Sequence, residues 1–142
     1  MSDDDVFDLR RFVEAQAPVV EEVVAELRAG RKRTHWMWFV FPQIEGLGSS
    51  PMAIRYAIRS AAEARAFLAH ETLGERLRAC TRLVLAAGRP LAEIFGAPDD
   101  RKFKSCMTLF AAVAPQETLF EAAIERCCAG ARDVATLERL AQ

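Results

Sequence analysis

Between one proline or glycine and the next, this chain repeats its apolar residues at helical spacing, and no two segments read as strands that could pair. Leu9, Phe12, Val13 and Gln16 stand at i, i+3, i+4 and i+7 and so share one face. Val19, Val20, Val23, Val24 and Leu27 line a second helix, opened by Pro18 and stopped by Gly30, with Glu21, Glu22, Glu26 and Arg28 on its other side. Ser50 and Pro51 start a short helix, Ser60 and Glu63 form a capping box, and Thr72 caps a longer helix that runs to Gly88. Pro90–Phe95 makes one further turn, Pro98 with Asp99 and Asp100 opens the next helix, and Pro115 and Asp133 open the last two. The expectation is an all-α protein: a single compact domain of eight to ten short helices over residues 7–142. The tail at 1–6 offers charge and nothing to bury.

Composition narrows the function classes. At 142 residues, 51% hydrophobic and 27% charged, the chain is one domain long with ample core. A net charge of −1 argues against bulk nucleic-acid binding by phosphate neutralisation. No apolar run approaches the ~20 residues of a membrane span, and the acidic start has no apolar signal core, so the expected location is the cytoplasm. The four cysteines (Cys80, Cys106, Cys127, Cys128) form no C-x-x-C pair and the two histidines no metal-ligand spacing, so neither a metal nor a cofactor is expected. Composition leaves the oligomeric state open.

Two stretches stand out. In Thr34–Pro51, Trp36, Trp38, Phe39 and Phe41 fall within six residues, followed by Pro42, Gln43, Gly46, Gly48, two serines and Pro51. Such an apolar run fits a buried strand or a helical turn; with only Val40 β-branched, a turn capped by Thr34 and ended before Pro42 is expected. The tryptophans read first as core, and alternatively as a stacking wall for a flat ligand. His35 is a candidate acid or orienting donor, histidine being the residue type suited to proton transfer near neutral pH. The helix start at Ser50 reads first as a cap, and less readily as an anion site. Gln16, on its apolar face, is expected at the rim of the core.

The second stretch is Phe95–Phe110. Phe103, Met107 and Phe110 form one stripe, and Arg101, Lys104, Ser105 and Thr108 another. The polar stripe reads either as an exposed face with an Asp100–Lys104 pair or as part of a site. Lys102 and Ser105, three residues apart, lack the third group that a Ser–Lys nucleophile needs.

These stretches also carry a resemblance. F-D-L-x-R-F-V-x-A-Q (Phe7–Gln16), H-W-M-W-F-x-F-P-Q-x-x-G-L-G-x-S (His35–Ser50), L-G-x-R-L (Leu73–Leu77) and F-G-x-P-D-D-x-K-F-K-S-C-M-T-L-F (Phe95–Phe110) resemble the family catalogued as domain of unknown function 1810, over nearly the whole chain. The resemblance implies a mainly helical fold and brings no established activity. Cys106 stands where relatives often have a second serine, and Ile54 where they often have a polar residue. The label "calpastatin" that some members carry does not suit a chain this hydrophobic. A fainter architectural similarity leads to the helical NADAR (YbiA-like) N-glycosidases, whose catalytic residues do not align position by position.

Two functions are therefore expected as alternatives. The first is a pocket for a nucleotide-like or ribosylated ligand, with N-glycosidase chemistry as one version. There Asp99 or Asp100 would activate water, with His35 as acid or orienting donor. Trp36, Trp38 and Tyr56 would stack the ring, and Gln16, Gln43, Lys104, Ser105 and Thr108 would hold polar or phosphate groups. The second is a non-catalytic helical module that binds another protein.

Overall fold

The computed structural model describes residues 5–142, so the expected tail lies mostly outside the described residues. Ten helices follow one another: α1 (Arg10–Gln16), α2 (Val20–Arg28), α3 (Met37–Val40), α4 (Pro51–Arg55), α5 (Ala61–Ala69), α6 (Glu71–Ala87), α7 (Leu91–Ile94), α8 (Asp99–Val113), α9 (Thr118–Cys127) and α10 (Val134–Ala141). Among the described residues there is no sheet. One parallel bridge joins Ile44 to Ile58, with Gln43 O accepting from Ile58 N and Ile58 O from Glu45 N, both at 2.8 Å. The all-α expectation holds, and the aromatic stretch forms the expected helical turn.

Helices α6 and α8 are the centre. α6 packs on α2, α5 and α9, and α8 on α5, α9 and α10. The middle of α8 is buried all round, from Ser105 to Ala111. A helix wrapped by neighbours has no polar face to spare, which is why its hydroxyls turn inward onto its own backbone. The core is aromatic on both flanks of α8. Phe41, Phe95 and Phe103 pack with centroids 5.1–5.8 Å apart. Phe67 reaches Phe12 at 5.0 Å and Phe110 at 5.6 Å.

Helix starts follow the sequence at three places. Ser50 Oγ accepts from Ala53 N, Ser60 Oγ from Glu63 N and Asp133 Oδ2 from Thr136 N. Two caps differ from expectation. His70, not Thr72, caps α6, its Nδ1 accepting from the Thr72 and Leu73 amides at 3.1 and 3.2 Å. The turn α3 has no side-chain cap, because Thr34 is taken by α2: its amide and hydroxyl both donate to the Glu26 carboxylate. Glu63, expected to close its capping box on Ser60, accepts instead from Arg59 N at 3.2 Å and from Arg11 at 2.9 Å. That carboxylate is buried, and its charge is met there by the Arg11 guanidinium.

Candidate ligand-binding cleft

The chain Gln43–Ser50 leaves the aromatic turn, makes the bridge with Ile58 and re-enters helix at α4. It passes opposite the first two turns of α8. Between them lies a cleft of about 480 Å³, lined by Gln43, Leu47, Gly48, Ser49, Ser50 and Ala53 on one side, Pro98, Arg101, Lys102 and Ser105 on the other, and Asp133 and Ala135 at the end. The loop hugs α4 closely: a Cβ on Gly48 would come within 2.8 Å of the Ala53 Cβ. A narrow crevice of about 20 Å³ continues inward from the cleft, sharing Gln43, Gly48, Ala53 and Lys102 with it and walled by Trp38, Phe41 and Tyr56.

The expected site residues divide. Gln43 and Ser105 line the cleft, and Trp38 and Tyr56 line the crevice. Trp38 is half-buried, with the Lys102 ammonium 5.6 Å from its ring centroid. Tyr56 is 8% exposed, buried against Phe12 and Phe39.

The others serve elsewhere. Trp36 is 0% exposed, its indole N–H given to Glu26 at 2.9 Å, so it is core. Gln16 is inside rather than at the rim. Its amide donates to Phe39 O at 2.7 Å and accepts from Arg76 at 3.2 Å, which ties α1 to α3 and α6. His35 is exposed and away from the cleft lining. Asp99 faces the basic run, with Lys32 at 2.9 Å on one oxygen and Lys102 at 3.5 Å on the other. The ion pair on this turn is therefore Asp99–Lys102, not the expected Asp100–Lys104. Asp100 Oδ1 accepts from the adjacent Arg101 amide at 2.8 Å. Thr108 is buried, donating to Lys104 O at 2.8 Å and accepting from Asp133 N at 3.0 Å, so its hydroxyl fastens the start of α10 to α8. Lys104 lies half-buried near Cys128, outside the cleft lining.

Electrostatically the cleft is cationic and rich in hydroxyls. Arg101 is exposed and Lys102 half-buried on its wall, with Ser49 and Ser50 opposite. Ser105 donates to Arg101 O at 3.1 Å and keeps its lone pairs for another donor. The Asp133 carboxylate accepts from the amide and hydroxyl of Thr136 at 2.9 and 2.5 Å, which commits one of its oxygens to capping α10. None of the thiols is primed as a nucleophile: burial pushes Cys80 up to about 11 and Cys106 well above its ordinary value. Burial, helped by neighbouring Cys127 and opposed by Lys104, holds Cys128 at about 11.

In the sequence Arg101 belongs to a polar stripe and Lys102 stands out only as a neighbour of Ser105. The structure sets both opposite the glycine-serine loop. The signal was present in the spacing: Arg101 and Ser105, one turn apart at the start of a helix, share a side.

The family described as "Protein of unknown function (DUF1810)" matches residues 6–140. The chain belongs to the DUF1810 family. Its fold recurs in the crystal structure of the conserved hypothetical protein Rv1873 from Mycobacterium tuberculosis. That protein is 56% identical, with a TM-score of 0.95 over 97% of this chain and 99% of the other. Among curated proteins there is no match. No helix of the described residues is long and apolar enough to cross a membrane.

Proposed function

We propose that this DUF1810 chain binds a small phosphate-bearing ligand of nucleotide-like kind in the cleft between the glycine-serine loop and α8. One observation carries the reading: Arg101, Lys102 and Ser105 from α8 meet Gln43, Ser49 and Ser50 from the loop across a single open space of about 480 Å³. Phosphate oxygens are recognised by this mixture of cations and hydroxyls. Pockets that hold small ligands converge a few polar groups in this way and commonly fall in this range of volume.

The reading favours binding over hydrolysis. The N-glycosidase version, suggested by NADAR-like architecture, needs a carboxylate free to activate water. Asp99 is neutralised by two lysines, and neither Asp99 nor Asp100 lines the cleft. Asp133 does line it, but one of its oxygens caps α10.

A thermal-shift screen against inorganic phosphate, pyrophosphate and nucleotides tests the proposal. A ligand at ~100 times its dissociation constant adds about 2.7 kcal/mol, which is several degrees for a domain of this size. The shift should vanish in Arg101→Ala/Lys102→Ala. A flat screen would favour the helical protein-binding module instead. That reading draws on exposed Ile54, next to Ala53 of the cleft, and exposed Val134, next to Ala135.

A further inference from the structure

The cleft and the crevice meet at one side chain, and it is a charged one. Lys102 lines both spaces. Its ammonium stands 5.6 Å from the centroid of Trp38 and 3.5 Å from Asp99 Oδ1. Neither attachment is tight. Asp99 holds a closer partner in Lys32, at 2.9 Å on its other oxygen, and that lysine is the more buried of the two. If Lys102 leaves, Asp99 keeps a counter-ion. A half-exposed ammonium over an indole is likewise a weak, readily exchanged contact.

Trp38 is the one tryptophan with accessible surface, since Trp36 is sealed in the core. Lys102 thus stands at the face of the only indole a ligand can reach, while its three N–H groups and charge are what a phosphate in the neighbouring cleft attracts.

Resting on the phosphate-cleft reading, we infer that Lys102 is a two-position specificity residue: it covers Trp38 in the empty protein and turns to the phosphate when one binds. The uncovered indole then stacks on the flat ring attached to that phosphate. The ligand class that satisfies both halves is a phosphate monoester of a flat ring system, such as a nucleoside 5′-monophosphate. Phosphate alone gains the cation but leaves the indole unused. A nucleoside alone must displace Lys102 with nothing to receive it. The two halves of the ligand are therefore coupled through one side chain, and the coupled ligand binds more tightly than either part predicts.

The test uses the full chain and three probes: inorganic phosphate, adenosine and adenosine 5′-monophosphate, titrated by tryptophan fluorescence and by calorimetry. Adenosine 5′-monophosphate should bind at least tenfold more tightly than phosphate, with adenosine alone weaker than either. Trp38→Ala should bring the monophosphate down to the affinity of phosphate itself. Lys102→Met should weaken phosphate at least tenfold yet strengthen adenosine, because the indole is no longer covered; a merely structural lysine would not produce that inversion. Equal binding of phosphate and the monophosphate would overturn the inference and leave the anion cleft standing. Failure of Lys102→Met to improve adenosine would overturn the covering role. If neither phosphate nor the monophosphate binds, the cleft reading falls with it.

Discussion

The indole N–H of Trp36 donates to Glu26 Oε1 at 2.9 Å, and the same carboxylate accepts from the Arg33 and Thr34 amides and the Thr34 hydroxyl. One side chain of α2 thus organises the entry to the aromatic turn. Burial alone would raise the Glu26 pKa, but these donors outweigh it and bring it from 4.5 to about 2. A carboxylate depressed in the folded state contributes stability that is complete above the unfolded value and lost as pH falls towards the folded one. Glu26→Gln should therefore destabilise by about 1–2 kcal/mol at neutral pH, the linkage figure being discounted because water reaches the carboxylate. The gap between variant and parent should close between pH 4.5 and about 2. Parallel thermal melts from pH 7 down to pH 2 check this, and a gap that stays constant across that window would refute it.

Arg11 commits its whole guanidinium to partners inside the fold. Its five N–H groups meet Arg55 O, Phe7 O, Asp8 O, Ala57 O and Glu63 Oε2 at 2.7–2.9 Å. Arg11 and Glu63 are 7% and 2% exposed, so neither charge can be left behind cheaply. Arg11→Met should cost about 3–5 kcal/mol by stranding Glu63. Replacing a simple buried ion pair with apolar residues is often neutral. Here four of the five acceptors are carbonyls that lose the guanidinium as well. Asp8 O keeps the residue-11 amide at 3.2 Å, but Phe7 O, Arg55 O and Ala57 O are left without this partner. Arg11→Met/Glu63→Leu should therefore remain at least about 2 kcal/mol destabilised. Denaturant titration of both variants separates these outcomes.

Gly74 explains part of the L-G-x-R-L string. A Cβ at this position would lie 2.1 Å from the carbonyl oxygen of Leu68, a backbone atom that cannot swing aside. The end of α5 and the first turn of α6 approach this closely because His70 serves as C-cap of one and N-cap of the other. Gly74→Ala should lower stability by about 1–3 kcal/mol despite the better helix propensity of alanine. A melt that rises or does not move would show that the α5–α6 corner can open at no cost.

The helices were legible because the chain punctuates them with Pro, Gly, Ser and Asp at spacings only helices use. Trp38 could be told from Trp36 only in three dimensions: both sit in one apolar run, and the difference is that Glu26 reaches the first and Lys102 the second. Long polar side chains usually end in water, so the sequence points Gln16 to the rim. It is buried because Phe39 O and Arg76, from two other helices, satisfy it there. Thr72 lost its cap to His70 and Thr34 to Glu26 for a similar reason, since local rules name a good cap but not a competing partner brought close by the fold. The candidate cleft was half legible. Gln43, Ser105, Trp38 and Tyr56 came from residue type, whereas the roles of Arg101 and Lys102 depend on which loop faces the start of α8.

That loop is held from behind by Arg139. Its Nε donates to Glu45 O at 3.0 Å, and its guanidinium lies on Gly46, where a Cβ would come within 1.8 Å of Nη2. Gly46 also has φ +94°, which side-chain-bearing residues rarely adopt. Gly46→Ala should therefore carry two costs, backbone strain and eviction of Arg139, together about 2–3 kcal/mol. In an Arg139→Ala background the second cost is absent, so the same substitution should cost only about 1–2 kcal/mol. The two positions are thus coupled in stability, although Arg139 lies outside the cleft lining. Because Arg139 braces the loop that carries Gln43 and Ser49, Arg139→Ala alone should weaken the proposed phosphate binding several-fold with little change in melting temperature. Additive stabilities in the double-mutant cycle, with phosphate affinity untouched, would show that the loop keeps its shape without this support.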